Sequence, residues 1–427
     1  HEAAYKNHDA QFFTLLAILE IAEKKTLMNS PHADSDRPSS PQNTTSLKGW
    51  ARRHRILLIL VILFTTPLVL YLTIGIRMHQ ELDSPTPQEQ ATIDDYTSAT
   101  RSVCIGRFII DIPERMELAY HTFKVNDATI TAELSSRQRF ERFITNRQHE
   151  LENTRTMDAI NEPFLKGVMR DGNTVIFDRN MNNSADDSAR ILEGYKFIGN
   201  TRLNVSLKAR DMSDERYIDL RGLLIESKAD RLRQIRYLLD HLDALPPEGI
   251  PDSPGACFAH GLLATRATPS IPGAIISTPQ EEVVMRFVDR ERDDVHLTVT
   301  TESDFTEGNT LLDRFGEIEN GLSLDPNAAI FRSGEVTLPG TPQAAEWVGR
   351  ITEDAYDIPT TYAYLEGNSQ LGDPLTPFFT IFLFNGEPDD YRAPRDLLRN
   401  RASLTDVEAV GLWDAVTRSF RPRPGAY

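Results

Sequence analysis

From Ser102 onward, short runs of apolar and β-branched residues give way at intervals to longer stretches in which apolar residues recur with the 3.6-residue period of a helix. The first run, SVCIGRFIIDIPERM, predicts a strand closed by Pro113. MELAYHTFKV and ATITAEL flank Asn126-Asp127 and predict a hairpin. SSRQRFERFITNRQHELENT predicts a helix with Phe140, Phe143, Ile144 and Leu151 on one face and Ser135 or Ser136 as its cap. Three strand-like runs follow, TVIFDR, ARILEGYKFI and LNVSLKAR. A helix over KADRLRQIRYLLDHLDAL then carries Leu232, Ile235, Leu239 and Leu242 as its apolar stripe and stops at Pro246-Pro247. PPEGIPDSPG reads as a linker.

Beyond it the same order returns: ACFAHGLLAT, the strand pair EEVVMRFVD and DVHLTVTTE, a helix over NTLLDRFGEIENGL, four strand-like runs, and a last helix over SLTDVEAVGLWDAVTRSF with a Thr405–Glu408 capping box. Connections are mostly too short for helical crossovers, which favours antiparallel pairing. The predicted fold class is α+β: two tandem related modules, each a mainly antiparallel sheet with two helices, preceded by one N-terminal transmembrane helix. The boundaries are an N-terminal module over 99–245, a linker over 246–255 and a C-terminal module over 256–427.

One stretch breaks the pattern. Ile56–Ile76 holds no charge and, as a helix, is about 31 Å long, enough to cross a hydrocarbon core. Lys48, Arg52, Arg53 and Arg55 precede it and only Arg77 follows closely, which places the N-terminus in the cytoplasm. It is longer than a signal-peptide core and no small-residue cleavage site follows, so an uncleaved signal anchor over 56–76 is expected in preference to a cleaved signal or a buried core helix. Residues 1–55 read as a disordered cytoplasmic tail, with 1–27 as an extension upstream of Met28, and 77–98 as a polar linker. The expected location is a single-pass inner-membrane protein with its ectodomain in the periplasm.

Charge narrows the partners. The chain has 427 residues and a net charge of −17, which disfavours nucleic acid and anionic lipid and favours a basic protein partner. Two cysteines, Cys104 and Cys257, exclude a disulfide-dense scaffold and a four-cysteine zinc site. They either form a single disulfide in an oxidising compartment or are two separate small core residues. The histidines of the two modules (His121, His149, His241, His260 and His296) are scattered. Cys257 and His260 form a C-F-A-H motif, but on a strand residues three apart face opposite ways, against a metal pair or a thiol–base pair. Asp186-Asp187, Asp293-Asp294 and Asp389-Asp390 lack calcium-loop spacing and read as solvated turns. The sequence contains no nucleophile elbow, zinc-protease motif, P-loop or dinucleotide fingerprint, and Gly367–Gly372 reads as a turn. No catalytic residue, metal ligand or cofactor is expected, and binding is favoured over catalysis.

SLTDVEAVGLWDAVTRSFRPRPGAY, VCIGRFIIDIPERM, ACFAHGLLAT with EEVVMRFVD, GEVTLPGTPQAAEWVGR and TYAYLEGNSQLGDPLTPFFTIFLFNGE together resemble the two-domain immunity proteins of type VI secretion systems directed against phospholipase effectors. The resemblance spans roughly residues 100–425. It implies a periplasmic protein that binds a cognate lipase effector and inhibits it by clamping it between two domains, without catalytic residues. It departs from the family at Cys257-Phe-Ala-His-Gly261 and in the apolar stretch at 56–76, through which alone a membrane would be contacted. Leu412, Trp413 and Asp414 read as terminal-helix packing. An envelope scaffold or receptor domain with another protein partner is the alternative, and a hydrolase with dispersed carboxylates a third reading. The oligomeric state is open.

Overall fold

The structure is a computed structural model and describes residues 78–246, 249–265, 270–275, 279–323, 325–353, 358–386 and 401–427. The described chain enters through helix α1 (Pro87–Thr97), which starts with Pro87 behind a Thr86–Glu89 capping box. A tight hairpin follows, β1 (Thr100–Ile105) and β2 (Phe108–Pro113). Then come β3 (Met116–Val125), β4 (Ala128–Leu134), helix α2 (Arg137–Asn153), β5 (Leu165–Asp171), β6 (Thr174–Asn180), β7 (Ala189–Ile198), β8 (Thr201–Arg210) and helix α3 (Lys228–His241). After a short strand β9 (Leu242–Ala244), a second hairpin, β10 (Ala256–Phe258) and β11 (Gly261–Leu263), leads into β12 (Glu281–Asp289) and β13 (Val295–Glu302). Helix α4 (Leu311–Leu322), β14 (Ala329–Glu335), β15 (Ala344–Glu353), β16 (Ile358–Gly367), β17 (Phe378–Asn385), helix α5 (Asp406–Thr417) and β18 (Arg421–Pro422) complete it.

One antiparallel sheet of twelve strands carries both halves, in the order β14-β15-β16-β17-β13-β12-β3-β4-β8-β7-β6-β5. Outward from its centre each half repeats one order, so an approximate twofold passes through the β3–β12 pair. That pair runs from Glu281↔Val125 to Asp289↔Met116, with a bulge at Arg286/Phe287. The expected picture, in which each module has a sheet of its own, is therefore corrected. Two separate sheets would each leave an inner edge of unpaired N–H and C=O groups, and joining β3 to β12 removes both edges.

A second correction concerns the membrane. Among the described residues no helix is long and apolar enough to cross one. The longest of them, α2, has 17 residues and spans about 26 Å, with charged residues along its length. The fold class of the described residues is α+β, and none of their helices supports the expected transmembrane segment or the single-pass inner-membrane placement drawn from it. The stretch 56–76 and the tail 1–55 lie outside the described residues.

The two sheet faces follow the period-2 alternation of the strands. On one face lies the main core. Ile235, Leu238 and Leu239 of α3 and Leu412, Trp413 and Val416 of α5 pack there on residues from both halves. On the other face α2 covers Val175, Phe177, Tyr195 and Phe197, and α4 covers Ile330, Ala345, Trp347 and Tyr362. Trp413 is fully buried and donates its Nε1–H to Glu346 at 2.9 Å, so it is a packing residue.

Residues 78–97, inside the stretch expected as a linker, are built into the second half. Gln80 donates its N–H to the Ile330 carbonyl at the edge of β14. Helix α1 lies on α5, with Ile93 against the bare backbone of Gly411, where a Cβ would come within 2.5 Å of it. Tyr96 is buried in the main core.

Candidate functional site

The residues that carry chemistry elsewhere are committed to structure here. Cys104 and Cys257 are joined by a disulfide, with Cα atoms 5.6 Å apart, so neither offers a thiolate. They occupy matching positions in the β1–β2 and β10–β11 hairpins, and Gly106 and Cys257 exchange backbone hydrogen bonds beside the bridge. His260 lies in the turn between β10 and β11 with φ 60°, not on a strand. Burial pushes its pKa down, as it does that of His121. Among the described residues no group of three or more His, Cys, Asp or Glu is placed to hold a metal ion. Gly367–Gly372 falls at the end of β16 and in the loop after it; Asp389 and Asp390 lie outside the described residues.

Surface chemistry is concentrated at one end of the sheet. Ala189 pairs with Arg210 and Asn180 with Arg190, which brings segments 181–188 and 211–227 together. Val125 pairs with Glu281, Glu282 with Glu302, and Glu302 with Phe378, which carries the same end across the junction into the second half. Gly367 pairs with Ala344 and extends it to 336–343. Ten of the fourteen exposed large apolar side chains among the described residues lie in the loops that enter or leave strands at this end. Leu134, by contrast, sits at the other end, beside a cleft of about 750 Å³ lined by Arg139, Asn200 and Leu245.

The first half contributes three loops. Met157 and Ile160 come from 154–164, Met181 from 181–188, and Ile218, Leu220, Leu223 and Ile225 from 211–227. Asp187 ties the loops together from beneath. It accepts from Tyr217 Oη at 2.5 Å, Arg216 Nη2 at 2.8 Å and Lys166 Nζ at 3.0 Å. Burial alone would raise its pKa, but these donors outweigh burial and hold it below the ordinary carboxylate value. Arg221 stitches 211–227 to itself, donating to the carbonyls of Met212 and Ser213 at 2.9 and 3.0 Å.

The second half contributes Phe305, Leu371 and Leu375. They lie on 303–310 and 368–377, which brace each other where Phe305 N–H donates to Gly372 and Glu307 N–H to Ser369. By the approximate twofold, 303–310, 336–343 and 368–377 correspond to the two-residue turns 135–136, 172–173 and 199–200 of the first half. The second half has thus grown its connections at the end where the first half already carries long loops. Where the halves meet, Glu302 is pushed up to about 7, by burial first and by neighbouring Glu282 next, against Lys124.

Sequence reading did not single out these loops. Ile218-Asp-Leu-Arg-Gly-Leu-Leu-Ile225 follows neither the period of a strand nor that of a helix, and that mismatch was the available signal.

The domain models of a known family cover the chain almost end to end beyond the N-terminal region. The N-terminal domain of Tle cognate immunity protein 4 matches residues 101–243, and its C-terminal domain matches residues 249–425. The chain belongs to the Tle cognate immunity protein 4 family. Solved structures agree in fold. A Tle4–Tli4 complex contains a chain with a TM-score of 0.59 at 18% identity, over 77% of this chain and 99% of the other. The apo immunity protein TplEi of the type VI secretion system from Pseudomonas aeruginosa gives 0.57 at 18% identity, over 76% and 97%. The same protein complexed with an "L" peptide gives 0.54 at 18% identity, over 77% and 99%. No curated protein matches the chain. Family membership rests on the domain models, and identity of this order carries the fold alone.

Proposed function

We propose that this protein is an immunity protein: it binds a phospholipase effector of a type VI secretion system and inhibits it, and has no reaction of its own. The observation that carries the reading is the paired match to both domains of Tle cognate immunity protein 4, in the family order, over 101–243 and 249–425. The surface is of the kind such a role needs. Inhibition by binding calls for exposed apolar anchors on a firm support rather than for a catalytic cluster. Such anchors gather at one end of a sheet shared by both halves. The effector contacts both halves through that shared end, and the clamp is a single body already assembled before binding. The direct test mixes this protein at equimolar ratio with the purified lipase encoded by the adjoining gene and follows lipid hydrolysis. Stoichiometric loss of activity with a stable complex is expected. Undiminished hydrolysis would overturn the reading.

A further inference from the structure

We propose that the effector docks on the acid-fringed apolar end of the sheet, with loop 211–227 as the anchor, and that it presents there a basic surface enclosing an apolar patch. This rests on the functional reading above and adds where the partner sits and what chemistry it brings. Single exposed leucines mean little, since folded proteins expose many; a contiguous set rimmed by polar groups is what marks an interaction site. Leu223 and Ile225 are 79% and 84% exposed, and Met157 on the neighbouring loop is 78% exposed. They are not on a loose loop. Arg221 closes 211–227 on itself, Ser227 Oγ accepts the Arg210 N–H at 2.9 Å, and Tyr217 and Arg216 fix the loop to Asp187. The ordering cost of presenting these side chains is met on folding, which is what a tight docking surface requires.

Charge selects the occupant. The segments 126–127, 154–164, 181–188, 211–227, 303–310, 336–343 and 368–377 carry thirteen Asp and Glu against three Arg. The described connections at the opposite end, 114–115, 135–136, 172–173, 199–200, 290–294, 325–328 and 401–405, carry five against four. A second copy of this chain would bring the same acidic end and be repelled, and an anionic lipid surface is repelled likewise. A basic protein surface is drawn in, and its apolar centre then covers Leu223 and Ile225. The unequal growth of the loops points the same way. Three of the four two-residue connections of the first half have longer counterparts at this end in the second half, while the fourth, 126–127, has its longer counterpart, 290–294, at the other end.

The test uses the whole chain and the lipase encoded by the adjoining gene, with affinity and on-rate measured by surface binding kinetics. The double substitution L223D/I225D is expected to weaken binding about 100-fold or more, while L134D at the opposite end stays within about twofold. Raising NaCl from about 50 to 300 mM is expected to slow association by about tenfold, as for a steered encounter. The side chains at 223 and 225 are exposed, so the variant folds, and an unchanged circular dichroism spectrum and melting curve verify that. Wild-type affinity in L223D/I225D, or a loss in L134D equal to it, overturns the docking assignment while leaving the immunity reading intact. A double variant that changes oligomeric state but not lipase affinity overturns it in favour of self-association. A wild-type chain that does not bind the lipase overturns the functional reading and this assignment with it.

Discussion

Arg107, in the turn between β1 and β2, donates from Nε and Nη2 to both carboxylate oxygens of Glu281, the first residue of β12, at 3.0 and 2.7 Å. Both side chains are buried, and Arg107 also donates to the Ala426 carbonyl at 2.5 Å. One guanidinium therefore ties together the first hairpin, strand β12 at the centre of the shared sheet and the segment at Ala426. Removing one partner strands a buried charge, so Glu281→Leu is expected to cost about 3–5 kcal/mol. The double change Arg107→Met with Glu281→Leu should cost clearly less than Glu281→Leu alone. Urea denaturation of the three proteins checks the order, and equal losses in the single and double variants would refute it.

The Cys104–Cys257 bridge closes a loop across a sequence separation of 153 residues and joins the two hairpins. In the chain-entropy account a loop of that length is worth at most about 5 kcal/mol. Cys104→Ser with Cys257→Ser is expected to lower the melting temperature by many degrees while the β3–β12 pairing holds the halves together. Hydrogen exchange at Val283 and Met285 should therefore stay slow in the variant. Fast exchange there would mean that the bridge, and not the ladder, makes the junction.

Glu302 sets a pH dependence whose direction follows from its raised pKa of about 7. Below about pH 4 the group is protonated both folded and unfolded, and its contribution is fully present. As pH climbs toward 7 the unfolded chain ionises first and the folded state loses stability relative to it. The loss is complete above pH 7. Glu302→Gln is accordingly expected to be more stable than wild type by about 2 kcal/mol at pH 8 and equal to it at pH 4. Melting curves at the two values decide the matter, and a variant less stable than wild type at pH 8 would exclude it.

Glu193 runs the other way. Burial would raise its pKa, but hydrogen bonds from Arg147, Tyr195 and Arg179 outweigh burial and bring it down to about 2. Its stabilisation is present above the ordinary carboxylate range and is lost as pH falls toward 2. Glu193→Gln should destabilise the protein by about 3 kcal/mol at pH 7, and the gap should narrow as the solution is acidified. A gap that stays constant from pH 7 to 3 would show that the cost is one of packing.

Helix α1 is a structural member of the second half despite its polar sequence. Tyr96 is 1% exposed, packs in the main core and accepts a hydrogen bond from Arg292 at 3.1 Å. Tyr96→Ala is expected to cost about 3 kcal/mol, read as a shift in the urea midpoint. A loss below about 0.5 kcal/mol, the size of a surface change, would mean that α1 merely rests on the protein.

Some of this was open to reading and some was closed. The hairpin at Asn126-Asp127 and the capping box at Thr405–Glu408 rest on local chemistry, and local chemistry is written in neighbouring residues. Helix α1 escaped because its composition is polar; its Thr86-Pro87-x-Glu89 start was the signal to weigh above composition. The β3–β12 pairing is of another kind. MELAYHTFKV and EEVVMRFVD each have the pattern of any half-buried strand, and nothing in either names the other across 158 residues, as between Lys124 and Glu282. The docking end was hidden for a related reason. Register, not periodicity, brings Ile225 and Leu375 to the same end, and register appears only once the whole sheet is assembled.

The approximate twofold has a bearing on how such proteins diverge. Because the repeat is related by a rotation that reverses strand direction, the loops at one end come from different connections in each half: α2–β5, β6–β7 and β8–α3 in the first, β13–α4, β14–β15 and β16–β17 in the second. A duplicated ancestor thus presented two unlike sets of loops side by side, each free to lengthen without disturbing its copy. Recognition and architecture became separately heritable: a lineage facing a changed toxin can rewrite 211–227 or 368–377 residue by residue, while the ladder beneath keeps every partner it had.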